Sequence, residues 1–320
     1  MALGVSNALR RVSSTSSRSI PSCGMAATEV PKKIHATDRV GGIMKQHEAA
    51  TCSAVVDAAC PVCIRLDGNG FSRLTRGFDR PYDVRIHHAM VGTAADLLER
   101  FGAASAYTMS DEISLLFAPH TDEAPSSLPF SGRVQKLVSV LAGYASARFN
   151  AHLVREPFDD AAPAQAALRA RVERCEAHFD ARVFSLPSVS ALVDYVRWRA
   201  LLDCRRNSIS MLAQAHFTPA ELHGVDSRGM LALLSERRGV EWSETPPFFR
   251  YGTTLKKEVH WKRARNPKTG EEVLARRTRV APRSFEFVPE DASRYLLART
   301  WPDEGPGSGD AGSGGEPSGG

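Results

Sequence analysis

The stretch Val62-Cys63-Ile64-Arg65-Leu66-Asp67-Gly68-Asn69-Gly70-Phe71 constrains this chain most, taken together with Ser110-Asp111-Glu112. The apolar run ahead of Asp67 reads as a buried strand, and Gly68 and Gly70 behind it let the backbone turn with no Cβ in the way. Asp67 therefore falls at a strand end. Ala106 to Phe117 reads as two strand-like runs around Ser110, Asp111 and Glu112, a hairpin with an acidic tip.

Between these stretches Ile86, Ala89, Met90, Ala94, Leu97, Leu98 and Phe101 recur at three- and four-residue intervals, the apolar face of a helix. Val134, Leu137, Leu141, Ala145 and Phe149 repeat the pattern, and Arg182 to Leu186 reads as a further strand. The order is β-α-β-β-α-β. In a ferredoxin-like arrangement of that order the first strand lies antiparallel to the third, which predicts that Asp67 faces Asp111 and Glu112. Clustered carboxylates repel unless a cation sits between them, and oxygen-only ligands on an open site suit Mg²⁺. The expectation is a two-metal phosphoryl or nucleotidyl transfer centre. An Asp-Gly turn or an acidic hairpin tip alone is ordinarily just solvated; their joint placement carries the reading.

Several blocks then follow in one order. They are Arg65-Leu66-Asp67-Gly68-x-x-Phe71, Phe78-x-x-Pro81-x-Asp83, Ser110-Asp111-Glu112, Arg133-x-x-Lys136-x-x-Ser139, Phe179-Asp180-x-Arg182, Trp198-Arg199 and Asp203-Cys204-x-x-Asn207. Over roughly Ile43 to Glu258 this order resembles the tRNA-His guanylyltransferase family. The resemblance implies an α+β fold with a palm-like catalytic domain, further packed helices, and nucleotide addition to the 5′ end of tRNA in the 3′-to-5′ direction. It implies ATP and GTP as substrates and two Mg²⁺ ions bridged by Asp67 and Asp111, with the Gly68 carbonyl as a further ligand and Glu112 as a supporting carboxylate. Asp67, Gly68, Asn69, Gly70, Phe71, Ser72, Ser110 and Asp111 would line the nucleotide site, with Arg80, Arg133 and Lys136 on the phosphates. The family has lysine at the position of Arg80, and Arg offers a planar fork in place of a point charge. On residue type alone Arg133 and Lys136 also fit a solvated basic face. Where the tRNA-His-specific enzymes have a His-containing motif this chain has Arg205, Arg206 and Asn207, taken as RNA contacts; that places it nearer the guanylyltransferase-like branch, associated with templated 5′-end repair. The family's assemblies imply a homotetramer or homodimer.

Charge is unevenly spread. From Arg250 to Arg283 eleven basic residues stand against three acidic ones, a surplus of 8 that exceeds the +5 of the whole chain. Such concentration is the footprint expected for a polyanion. Asn266-Pro267-Lys268-Thr269-Gly270 is a turn signal within this tract, so residues 259–283 read as a basic hairpin with Trp261 able to stack on a base. Lys256, Lys257, Lys262, Arg263 and Arg265 are taken as RNA contacts; the alternative is an edge hairpin protected from aggregation by its charges.

Residues 1–33 carry arginine and serine but no acid before Glu29, the composition of a mitochondrial or plastid transit peptide, while Met25 as an alternative start would leave a cytoplasmic form. Residues 34–258 read as the palm-like domain and 284–320 as a mostly disordered tail. Cys60-Pro61-Val62-Cys63 lacks the second pair a zinc site needs and reads as structural. No run approaches the apolar length that spans a bilayer, so no membrane partner is expected. Two other readings remain: a catalytically silent tRNA-binding protein, and a palm-type nucleotide cyclase, although no Gly-Gly-Asp-Glu-Phe block is present.

Overall fold

In the computed structural model, which describes residues 39–122, 128–287 and 292–301, the apolar run ahead of Asp67 forms strand β1 (Val62–Gly68) at the centre of a sheet. The acidic stretch is the turn between β2 (Ser105–Met109) and β3 (Glu112–Phe117), and β4 (Phe179–Ser185) completes the expected unit. Two further strands, β5 (Thr253–Arg265) and β6 (Glu272–Arg283), give a six-stranded sheet in the order β4-β1-β3-β2-β5-β6. Every pairing is antiparallel, and β1 meets β3 with Asp67 opposite Glu112 and Val62 opposite Phe117.

Helices Val84–Phe101 and Val134–Leu153 cover one face of the sheet. Leu97, Leu98, Leu137, Leu141 and Phe149 there are fully buried against Ile64, Leu66, Ile113 and Leu115. Each such side chain contributes about 1.5–3 kcal/mol by leaving water, so this layer fixes the register of β1 on β3. The first helix starts one residue after Asp83, whose carboxylate caps it by accepting from the Arg85 backbone N–H.

The opposite face carries helix Val189–Arg197 and a π-helical turn, Trp198–Cys204, that runs on into helix Arg205–His216. Cys63, Leu116, Tyr107 and Met109 bury themselves against it. The chain is regular α-helix from Val189 to Arg197, and the turn that follows it is wound wider. Thr218 and Glu221 form a capping box at the start of helix Pro219–Leu222. No helix among the described residues is long and apolar enough to cross a membrane.

Three expectations change. The basic hairpin is no separate module starting at residue 259, because β5 pairs with β2 from Thr253 onward and extends the palm sheet directly. The tail is ordered in its first part: Phe287, Leu296 and Trp301 are buried, and the Trp301 backbone N–H donates to the Lys257 carbonyl at 2.8 Å. The leader of residues 1–33 and the Gly/Ser-rich run from Gly305 lie outside the described residues.

Lys256 is the third correction, since it is wholly buried and so turned away from any RNA. Its Nζ donates to the carbonyls of Ala104 and Leu296 at 3.3 Å each, and to that of Ala298. Burial pushes the ammonium down to about 7. The side chain thus ties the C-terminal segment to the sheet. Lys256→Met, which leaves those carbonyls without this donor, is expected to lower unfolding free energy by about 1–3 kcal/mol in denaturant titration while RNA affinity stays unchanged. Weaker RNA binding at unchanged stability would return Lys256 to the RNA surface.

Candidate active site

Asp67 and Asp111 come together through backbone geometry. The Gly68 N–H donates to the Asp111 carbonyl at 3.0 Å, which seats the β2–β3 turn on the end of β1. Gly68 has no room for a side chain, because a Cβ would lie 2.4 Å from the Phe71 ring, itself packed among Phe149 and Phe179. Gly70 lies in the left-handed region with φ 67°, and so does Ser110 at the tip of the acidic turn with φ 49°. Burial, together with the negative charge of Asp67, raises the Asp111 carboxyl above the usual carboxylate range, against the pull of its own backbone N–H and the Ser110 hydroxyl.

The nearest cation to Asp67 among the described ion pairs is Arg182, whose Nη2 lies 3.9 Å from Oδ2. Two crowded carboxylates with no guanidinium or ammonium in close contact among the described ion pairs fit a divalent ion bound through oxygen. Among the described residues no group of three or more His, Cys, Asp or Glu side chains forms a metal cage. Asp67 and Asp111 would thus leave the other coordination positions to waters and substrate phosphates, the pattern Mg²⁺ favours.

Glu112 is engaged differently from the expectation of a supporting carboxylate. Arg199 donates to its Oε2, and Arg65 Nε lies 3.9 Å from Oε1. Arg199 also donates to Asp203, which accepts from Arg206 at 3.0 Å. Glu112 is therefore held by guanidinium groups, through partners too distant in sequence for local spacing to reveal.

A cavity of about 420 Å³ opens beside Asp111, whereas Asp67 and the expected Gly68, Asn69 and Gly70 are not on its wall. Ser110 and Asp111 stand on its wall with the expected Phe71, Ser72 and Arg80. Thr75, Asp83, His87 and Phe248 also line it, and so does Asn207, expected as an RNA contact. Asp83 and His87 stand four apart on one helix, a polar spacing that marks a lining face and was readable in advance. The Asp83 carboxylate accepts from Arg85 Nη2 at 2.6 Å and from the Asp79 N–H at 3.0 Å; burial alone would raise it, but these bonds hold it below the usual range. The His87 ring stacks on Phe248 with centroids 3.9 Å apart.

Arg133 and Lys136 are not at this cavity. Arg133 is bridged to Val55, ahead of β1, and the Val134 N–H donates to Ala54, so both cations sit at the far end of the sheet. The five steps from Val62 to Asp67 alone separate the two ends by about 17 Å. Their placement in the nucleotide site of the same chain is corrected accordingly.

Arg205 is exposed with its guanidinium 4.7 Å over the Trp242 ring, and Arg206 is exposed beside Asp203. Along the ribbon Lys262, Arg263 and Arg265 are exposed, Lys257 is half-buried, and Trp261 is 54% exposed opposite Arg276. Trp261, Arg263 and Arg276 share one face by register, while on the other face Arg279 and Arg283 pair with Glu258 at 2.9 and 3.0 Å.

A family model described as tRNAHis guanylyltransferase matches residues 41–187. An uncharacterized protein of Acanthamoeba polyphaga mimivirus is 34% identical over 227 residues, 69% of this chain and 77% of that one. A Mus musculus protein named "Probable tRNA(His) guanylyltransferase" is 27% identical over 240 residues, 69% of this chain and 74% of that one. A bacterial tRNA(His) guanylyltransferase-like protein solved in complex with ATP superposes with a TM-score of 0.59 and 27% identity, covering 74% of this chain and 91% of that one. The same description in complex with GTP gives 0.55 and 26%, over 77% and 91%.

Burial holds His87 down to about 4, with His88 adding a smaller repulsion. The folded protein therefore keeps this imidazole neutral where an unfolded chain, with the usual value near 6.5, takes up a proton. Stability from this group is complete above about pH 6.5 and is lost as pH falls toward 4. Thermal melts across that window are expected to show a steeper decline for the native chain than for His87→Phe; equal slopes would rule the assignment out.

Proposed function

The chain belongs to the tRNAHis guanylyltransferase family of nucleotidyltransferases, and on that premise we propose that it adds nucleotides to the 5′ end of tRNA, extending the strand in the 3′-to-5′ direction. The observation that carries this is the meeting of Asp67 with Asp111, the second of which stands at the wall of a cavity of about 420 Å³, large enough for a nucleotide. Two bound Mg²⁺ ions would neutralise phosphate charge and lower the pKa of the attacking 3′-hydroxyl.

The chain's own residues do the rest. Asp67 and Asp111 would hold the ions, with the Gly68 carbonyl as a further ligand. Ser110 and Arg80 present a hydroxyl and a guanidinium to the phosphates. His87, neutral and stacked on Phe248, gives the cavity an apolar wall for a base. The related bacterial protein's complexes with ATP and GTP support both as substrates here, ATP or GTP serving in activation and GTP or a templated nucleotide in addition. Arg205, Arg206 and the ribbon residues Lys257, Lys262, Arg263 and Arg265 take the RNA backbone, and Trp261 stacks on a base. Residues 1–33 would direct the protein to a mitochondrion or plastid, and a dimer or tetramer is its working form.

Purified protein incubated with a 5′-truncated tRNA, Mg²⁺, ATP and GTP is expected to lengthen the 5′ end, read by primer extension. No lengthening, whether the 5′ end begins as a monophosphate or a triphosphate, contradicts the proposal. Asp67→Asn and Asp111→Asn should each lower extension by about a hundredfold or more. Neither should destabilise the fold, because each relieves repulsion between the two carboxylates. For the ribbon, the combined change Lys262→Ala and Arg263→Ala is expected to weaken tRNA binding and flatten the plot of log affinity against log salt by a slope of about 2, with nucleotide binding unaltered. An unchanged slope would remove the ribbon from the RNA interface.

A further inference from the structure

We propose that Arg199 is the positioning residue that sets the catalytic carboxylate of Asp111, acting through Glu112. Arg199 sits on the π-helical turn Trp198–Cys204, with its side chain only 9% exposed. Its two terminal nitrogens go to different carboxylates, Nη1 to Asp203 and Nη2 to Glu112, and its guanidinium lies 5.0 Å over the Trp198 ring. Asp203 is held in turn by Arg206, so the fork is braced from behind.

Glu112 directly follows Asp111, and the turn before it passes through the left-handed Ser110. That turn is pinned at the backbone by Gly68 to Asp111 and by the Thr108 hydroxyl donating to the Glu112 carbonyl at 2.8 Å. Arg199 pins it at the side chain. Rotation of the peptide between Asp111 and Glu112 would break the Arg199 pair, so the guanidinium restricts where the Asp111 carboxylate points. The π turn serves this geometry: wide turns of this kind occur mostly at functional sites, and here one pairs Arg199 with Asp203, four apart, while Arg199 also reaches Glu112.

The proposal rests on the metal reading of Asp67 and Asp111, and binding of Mn²⁺ in place of Mg²⁺ tests the two separately. Free Mn²⁺ is followed by its electron paramagnetic resonance signal in titrations of the native chain, Arg199→Lys, Glu112→Gln and the combined Arg199→Met/Glu112→Gln, with melting temperature as the check of folding. Arg199→Lys keeps the charge and loses the fork. It is expected to weaken Mn²⁺ binding by about tenfold or more and to lower kcat while KM for tRNA holds, as loss of an outer partner of a metal ligand does. Glu112→Gln should give a similar loss, and the combined variant no more than either alone, because both act through one contact. If Glu112 instead ligates the ion directly, Glu112→Gln weakens binding and Arg199→Lys does not; that result overturns the proposal. Additive losses overturn it as well. Should Arg199→Lys fail to fold, native Mn²⁺ affinity in the combined variant overturns it too. A native chain that binds no Mn²⁺ removes the metal reading itself and this proposal with it.

Discussion

One backbone hydrogen bond, from the Gly68 N–H to the Asp111 carbonyl, joins two segments that lie more than forty residues apart in sequence. It exists only because β1 and β3 pair in one register, and that register is set by apolar side chains. Leu66 and Ile113 stand opposite one another and are fully buried beneath the two helices on that face. A slip of one residue would turn both toward the other face and carry Asp67 away from Asp111. Core packing thus places the carboxylates, and the glycine lets the chain close over Phe71 once they are placed.

Placement creates an electrostatic demand in return. Asp67 and Asp111 are close enough for one to raise the other, while the neighbouring Glu112 is neutralised by Arg199 and Arg65. Had Glu112 been left open beside them, three negative charges would have shared one strand end at a cost that a single cation relieves poorly. The opposite face of the sheet therefore supplies guanidinium groups for the third carboxylate and leaves the first two without a close ion pair among the described residues. The division of labour among three adjacent acids comes from what packs behind each.

That division was not legible in the sequence, whereas the antiparallel placement of β1 beside β3 and the Asp67–Asp111 meeting were. Period-two and period-3.6 apolar patterns are local, and the antiparallel placement of the first and third strands follows from the order of elements. The partner of Glu112 is 87 residues away, on a π turn that no periodicity announces. Lys256 misled for a related reason. Composition assigns a lysine in a basic tract to the surface, but here β5 still lies within the sheet and the C-terminal segment covers its second face, so the side chain finds carbonyl oxygens instead of water. Arg133 and Lys136 follow the acidic turn closely in sequence, yet β3 runs away from that turn and their helix begins where β3 has ended.

The same directions govern how a long substrate can lie on the molecule. β5 starts beside Thr108, next to the acidic turn, and runs away from it. The twelve steps from Thr253 to Arg265 carry its basic end about 40 Å from the catalytic end. A free nucleotide cannot touch both. Arg279 and Arg283 are engaged by Glu258 near the root of the ribbon, whereas Trp261, Arg263 and Arg276 lie further out on the other face. The charge surplus is thus displaced from the Asp67–Asp111 pair, where it would compete for the carboxylates, to a distance that only an extended polyanion bridges. A structured RNA whose 5′ end reaches Asp67 and Asp111 while its body lies along the sheet meets both conditions, and a ribbon serving solely to protect a sheet edge would have no need to project so far beyond β2, which ends its pairing with β5 at Leu255.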